Sequence, residues 1–167
     1  MTETAARRLV VMRHAKTESS APTDHARELT DRGRRDARAA GAWLGQEGLV
    51  PDVVMVSSAV RARSTCDEVC TALGSTPVVR VLDSLYQADE DDVIAACVAE
   101  IPAQTQCALV IGHNPTMAMT ADLLQADDDR RDVILPTAAL AVFAIASEWS
   151  DLGPGTGSLQ RLHTPQD

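Results

Sequence analysis

Short apolar runs alternate with longer segments whose apolar residues recur at helical spacing. Leu9–Met12 and Val53–Val56 read as short buried strands, Val78–Leu82 as a third short strand and Cys107–Ile111 as a fourth. The first helix starts near Thr30, a fitting N-cap, and repeats Ala37, Ala40, Gly41 and Leu44 at i, i+3, i+4 and i+7 before Gly48 and Pro51 stop it. A second helix carries Cys66, Val69, Cys70 and Leu73 on one face and ends at Gly74. A third lies in "ADEDDVIAACVAEIP", with its acidic run in the first turn, where the helix dipole favours it, and Pro102 at its end. A fourth opens after "GHNP", with Asn114 as N-cap, Pro115 as first residue, and Met117, Thr120, Ala121 and Leu124 facing inward. Glu18–Ala26 is a polar loop and Ala126–Asp132 a charged one. Ala138–Ala146 is a last long apolar strand, and "LQRLH" pairs back on it as an edge strand. No internal repeat is visible.

Strands alternating with helices predict an α/β fold: three layers, with a mainly parallel central sheet and helices on both faces, as one domain over residues 1–167. Fully apolar strands agree, because strands of such a sheet are buried on both sides. Ligands of sheets of this kind bind at the carboxyl ends of the strands.

Composition narrows the possibilities. Hydrophobic residues make up 45% of the 167 and aromatics 2%, so the core must be built from Ala, Val, Leu and Ile. A net charge of −9 and a pI near 4.8 argue against nucleic-acid binding, which needs a basic face. No run of 18 apolar residues suits a membrane span, and the opening "MTETAARR" is not followed by the apolar region of a signal peptide. Cys66, Cys70, Cys97 and Cys107 form no CxxC pair and suit small core residues in a reducing cytoplasm.

Three predicted strands end in nitrogen-bearing groups. The first runs into Arg13-His14, the second through Ser57-Ser58 to Arg61, and the fourth into Gly112-His113 before a helix N-terminus. In a parallel sheet these ends share one edge, and together they favour a tetrahedral anion such as phosphate. Arg13 offers a fork of donors. His14, which can be neutral at pH 7, can accept a phosphoryl group covalently, while guanidinium groups and His113 stabilise charge on its oxygens. No metal or other cofactor is needed, and no carboxylate cluster marks the strand ends as a Mg²⁺ site.

These residues resemble the histidine phosphatases of the phosphoglycerate-mutase-like superfamily. Arg13-His14-Ala15 stands where the family has Arg-His-Gly. "SSAVRARST" resembles its second motif, with Arg61 as the phosphate-binding arginine in preference to Arg63, and "GHNP" the third, with His113 as second catalytic histidine. "DHARELTDRG" resembles a segment of the small SixA-type phosphohistidine phosphatases, which implies that Arg27 belongs to the phosphate site, with Asp24 beside it. Many relatives carry a Glu after the third strand to protonate the leaving group. Here "LDSLYQADEDD" offers only Asp83 and Glu90, and Asp24 is the better candidate. An alcohol leaving group needs such an acid, whereas an imidazole, with a conjugate-acid pKa of about 6.5, needs it far less. The resemblance therefore implies a metal-independent phosphatase that passes through phospho-His14 and acts on phosphohistidine of a signalling or phosphotransfer protein. A small phosphate ester or nucleotide is the alternative substrate, and a non-catalytic phosphoprotein-binding module the alternative of another class. His25 is expected to be exposed in its loop, His163 to lie apart in the tail, and "RGRRDAR" to form a solvated helix face. The sequence does not give the oligomeric state.

Overall fold

The structure is a computed structural model that describes residues 6–165. Six strands form one sheet: β1 (Arg7–Arg13), β2 (Val53–Ser57), β3 (Val78–Leu82), β4 (Cys107–Gly112), β5 (Leu140–Ile145) and β6 (Gly157–His163), in the order β3-β2-β4-β1-β5-β6. β1 to β4 are mutually parallel, while β5 runs antiparallel to both β1 and β6. The mainly parallel three-layer α/β fold is thus present, with β6 at one edge as its sequence suggested.

Alternate residues of each central strand enter two separate cores. Val10, Met12, Val54, Val56, Leu109 and Ile111 pack under α1 (Asp31–Gln46) and α2 (Val60–Leu73). Leu9, Val11, Val53, Met55, Ala108 and Val110 pack under α3 (Glu90–Glu100) and α4 (Thr116–Leu124). With few aromatics, close approach replaces bulk. A Cβ on Gly41 of α1 would lie 2.5 Å from the Val69 carbonyl oxygen of α2, so glycine is what lets these helices touch. Cys66, Cys97 and Cys107 are buried and all four thiols are free.

The local signals in the sequence are used as expected at α1, where the Thr30 hydroxyl accepts the Gly33 N–H, and at α2, where Gly74 takes a left-handed conformation. α3 has a full capping box between Asp89 and Asp92. One expectation needs correction. Helix α4 begins at Thr116 with Pro115 as N-cap; Asn114 instead accepts the Ala118 N–H and donates to the Leu135 carbonyl. β3 is an edge strand, and its Val78, Val79 and Val81 are 41–53% exposed.

The strand order fixes where a ligand can sit. β4 lies between β2 and β1. The chain leaves β1 toward α1 on one face and leaves β4 toward α4 on the other. Connections that depart to opposite faces leave a crevice at the carboxyl ends of the two strands. Register brings those ends level, since Arg13 pairs with Gly112 and Val56 with Ile111.

Candidate active site

His14 sits at that crevice, its backbone held from both sides. Its N–H donates to the Gly112 carbonyl, and its own carbonyl accepts the Ala138 N–H, both at 3.0 Å. His14 as a whole is 8% exposed. His14 Nδ1 lies 2.7 Å from the Ala15 carbonyl oxygen. A carbonyl only accepts, so Nδ1 carries the ring hydrogen and Nε2 keeps its lone pair. Burial, helped by the positive surroundings of His113, Arg61 and Arg13, pushes the His14 pKa down to about 3. The imidazole is therefore neutral at physiological pH.

The residue after it, Ala15, replaces the usual glycine without strain. Its N–H donates to the Thr65 hydroxyl, which in turn donates to the Arg61 carbonyl. That amide is turned into α2, and the methyl group lies in the core.

His113 enters from the end of β4, its ring centroid 5.2 Å from that of His14. Its Nε2 is 2.7 Å from the Ser57 hydroxyl at the end of β2, and its Nδ1 is buried with no partner. Burial and the neighbouring Arg61 push its pKa down to about 4.

Arg61, in the first turn of α2, is 6% exposed. Its Nη1 donates to the Asp24 carbonyl oxygen and its Nη2 to Asp24 Oδ2, while its Nε is buried without a partner. Arg13 donates from Nη1 to the Leu135 carbonyl, and its Nε too is unpartnered. Buried donors are almost always satisfied in folded proteins. Of the four buried, unpartnered side-chain polar atoms among the described residues, three belong to Arg13, Arg61 and His113.

The structure thus brings together Arg13, His14, Arg61 and His113, with Asp24 behind Arg61. Asp24 is an ion here. The Tyr86 hydroxyl, Arg27 and Arg61 all donate to it and hold its carboxyl well below the usual carboxylate range. Its chemistry is that of an acceptor that orients donors, not that of a proton donor. Arg27 is placed differently from Arg61: its Nε, Nη1 and Nη2 donate to Glu18, Asp24 and Thr17, all within its own loop. Arg63 is exposed and donates to the Ser58 carbonyl.

A cavity of about 280 Å³ opens beside these groups, with Asp24, Arg61, Tyr86, His113 and Thr116 among its walls. Among the described residues, Asp24 is the one carboxylate lining it. A larger cavity, of about 430 Å³, lies at the opposite ends of the strands, beside Arg8, Gln106 and Arg161, remote from the histidine pair.

Three neighbours of the site went unassigned in the sequence. Ser57 was noted only as a strand end. His25 was expected to be exposed; it is half-buried, 3.1 Å from the Ser58 hydroxyl through Nε2 and edge-on to Tyr86. Tyr86 follows the turn after β3, and its being the chain's single tyrosine at a strand's carboxyl end was the available signal.

Residues 9–89 match the model of the histidine phosphatase superfamily, branch 1. An uncharacterised protein of Mycobacterium leprae is 34% identical over 93% of this chain and 100% of its own. The structure of a protein of Nakamurella multipartitia assigned to the SixA phosphohistidine phosphatases is 34% identical, with a TM-score of 0.84 over 97% of this chain and 98% of that one. The chain belongs to the histidine phosphatase superfamily, in its SixA-type branch. The protein histidine phosphatase SixA, solved in complex with tungstate, is 26% identical, with a TM-score of 0.82 over 95% and 97% of the two chains. This histidine phosphatase is accordingly a phosphatase of the hydrolase class, and its fold is that of the phosphoglycerate-mutase-like proteins.

Proposed function

We propose that this phosphatase removes phosphate from phosphohistidine on a signalling or phosphotransfer protein, without a metal ion. The observation that carries the reading is the set of orphaned donors, Arg13 Nε, Arg61 Nε and His113 Nδ1, around a neutral His14 whose Nε2 is free. A tetrahedral phosphoryl group would satisfy all three. Ser57 Oγ already accepts the Ala59 N–H; by giving its own proton to His113 Nε2 it would leave the ring hydrogen on Nδ1, as a donor to phosphate.

His14 Nε2 attacks phosphorus, and the bond from phosphorus to the substrate's imidazole nitrogen breaks. The departing imidazole takes up a proton from water. Arg13, Arg61 and His113 stabilise the charge on the transferring oxygens. Water then attacks phospho-His14, inorganic phosphate leaves, and His14 is restored. The two guanidinium charges take the part that a cation plays in metal phosphatases, and they would repel one. Asp24 holds Arg61, and Arg27 holds the loop that carries Asp24. The ionised Asp24 supports the choice of substrate, because an alcohol leaving group would find no acid in the cavity wall. Residues 1–167 would form one domain, and the free thiols suit the cytoplasm. No helix among the described residues is long and apolar enough to cross a membrane.

The test is turnover, in the presence of a chelator, on a phosphohistidine protein and on a panel of phosphate esters and nucleotides, with His14→Ala as control. Preference for phosphohistidine and loss of turnover in the variant, with its melting curve unchanged, are expected. Preference for an ester would refute the substrate assignment, and near-normal turnover by His14→Ala would refute the covalent mechanism.

A further inference from the structure

Arg61 has three nitrogens, and the structure divides their tasks. Nη1 and Nη2 each give one hydrogen to Asp24, so the edge left to meet a phosphoryl group is the one that carries the unpartnered Nε–H. Which edge of the guanidinium faces the site therefore depends on where Asp24 stands. Yet Asp24 belongs to an exposed stretch without regular structure, and its side chain is 52% exposed. Besides Arg61, its ion-pair partner is Arg27, which rides on the same loop, and exposed ion pairs of that kind hold a side chain weakly.

We propose that Tyr86 is a positioning residue of this phosphatase: its hydroxyl anchors Asp24, and through Asp24 fixes the Nε edge of Arg61 toward the phosphoryl group. This rests on the function proposed above. The Tyr86 hydroxyl donates to Asp24 Oδ2 at 2.7 Å, the same oxygen that accepts Arg61 Nη2 at 3.0 Å. The tyrosine ring is itself wedged, edge-on to His25 at 4.8 Å and to His113 at 5.8 Å. It comes from the turn after β3, whereas Asp24 comes from the loop after β1 and Arg61 from α2, so three elements meet on one oxygen.

The same loop also does the work of a helix cap. α2 has no side-chain cap, and the His25 carbonyl accepts the Val60 N–H at its first turn. Tyr86 thus holds a loop whose two adjacent residues, Asp24 and His25, seat both Arg61 and the helix that carries it.

The test is a double-mutant cycle with Tyr86→Phe, Asp24→Ala and the pair, read by calorimetric binding of inorganic phosphate and by KM on a phosphohistidine protein. Tyr86→Phe removes only the hydroxyl, so its melting temperature should match that of the parent. A hydrogen bond to a charged group predicts weakening of phosphate binding by about tenfold. In the Asp24→Ala background the same change should have no effect, since the carboxylate through which Tyr86 acts is gone. An equal loss in both backgrounds would mean that Tyr86 touches the phosphoryl or leaving group itself, and would overturn the proposal. So would no loss in either background. Failure of the unaltered protein to bind phosphate, with Arg61→Ala behaving no differently, would refute the reading of the site and the anchor with it. Failure of Tyr86→Phe alone would leave the site reading standing.

Discussion

The neutral, buried His14 gives a prediction with a sign and a size. Its pKa is near 3 in the folded protein, against about 6.5 in the unfolded chain. At pH 5 the unfolded chain's imidazole is protonated by roughly thirty to one, while about 1% of folded molecules carry the proton. Between those pH values the unfolded state binds the extra proton, so stability falls as pH falls below about 6.5 and keeps falling toward 3. From pH 8 to pH 5 the cost is about 1.5 pH units at 1.36 kcal/mol each, or ~2 kcal/mol. That is a readable fraction of the ~5–15 kcal/mol of a typical domain. The measurement is urea unfolding of the wild type and His14→Gln at both pH values. Titrating groups that do not touch His14 contribute to both proteins and drop out of the difference. The wild type should lose ~2 kcal/mol more than the variant on going to pH 5. In parallel, the folded-state NMR signal of the His14 ring should not shift between pH 8 and pH 5. Parallel losses in the two proteins, or a ring titrating near 6.5, would show that His14 is not held neutral by burial, and the tautomer argument for a free Nε2 would fail with it.

Two packing predictions accompany it. Thr65→Val should destabilise by ~1–3 kcal/mol in denaturant melts, because it orphans the buried Ala15 N–H next to His14, whereas Thr65→Ser keeps the acceptor and most of the stability; equal effects of the two would refute the role of the hydroxyl. Within α1, Gly41→Ala should cost ~1–3 kcal/mol through its clash with the Val69 carbonyl, while Gly45→Ala, 3.6 Å from Leu73 Cδ2, should stabilise by up to ~1 kcal/mol through helix propensity; thermal melts that rank them the other way would refute the close helix contact.

The sequence alone determined the elements and the quartet of residues at the strand ends. Hydrophobic period and capping residues are local signals, so the alternation of strand and helix could be read directly, with errors confined to boundaries such as the start of α4. Arg13, His14, Arg61 and His113 were legible because a parallel sheet gathers the residues that follow its strands at one edge, whatever the order of the strands. That order was decided only in three dimensions. β4 inserts between β1 and β2, which sets His14 against His113, and β3 is left at an edge with its valines exposed. The one local sign of an edge in β3 is the charged Arg80 at its middle, which reaches Glu100 of α3. The tertiary structure alone also decided the outer ring of the site: Tyr86 and Arg61 meeting on one oxygen of Asp24, Arg27 turned to its own loop, and His25 half-buried. Those contacts join a loop after β1, a helix after β2 and a turn after β3. Partners so far apart in sequence are chosen by the packing of whole elements, and hydrogen bonds among loop side chains leave no periodic trace in the chain.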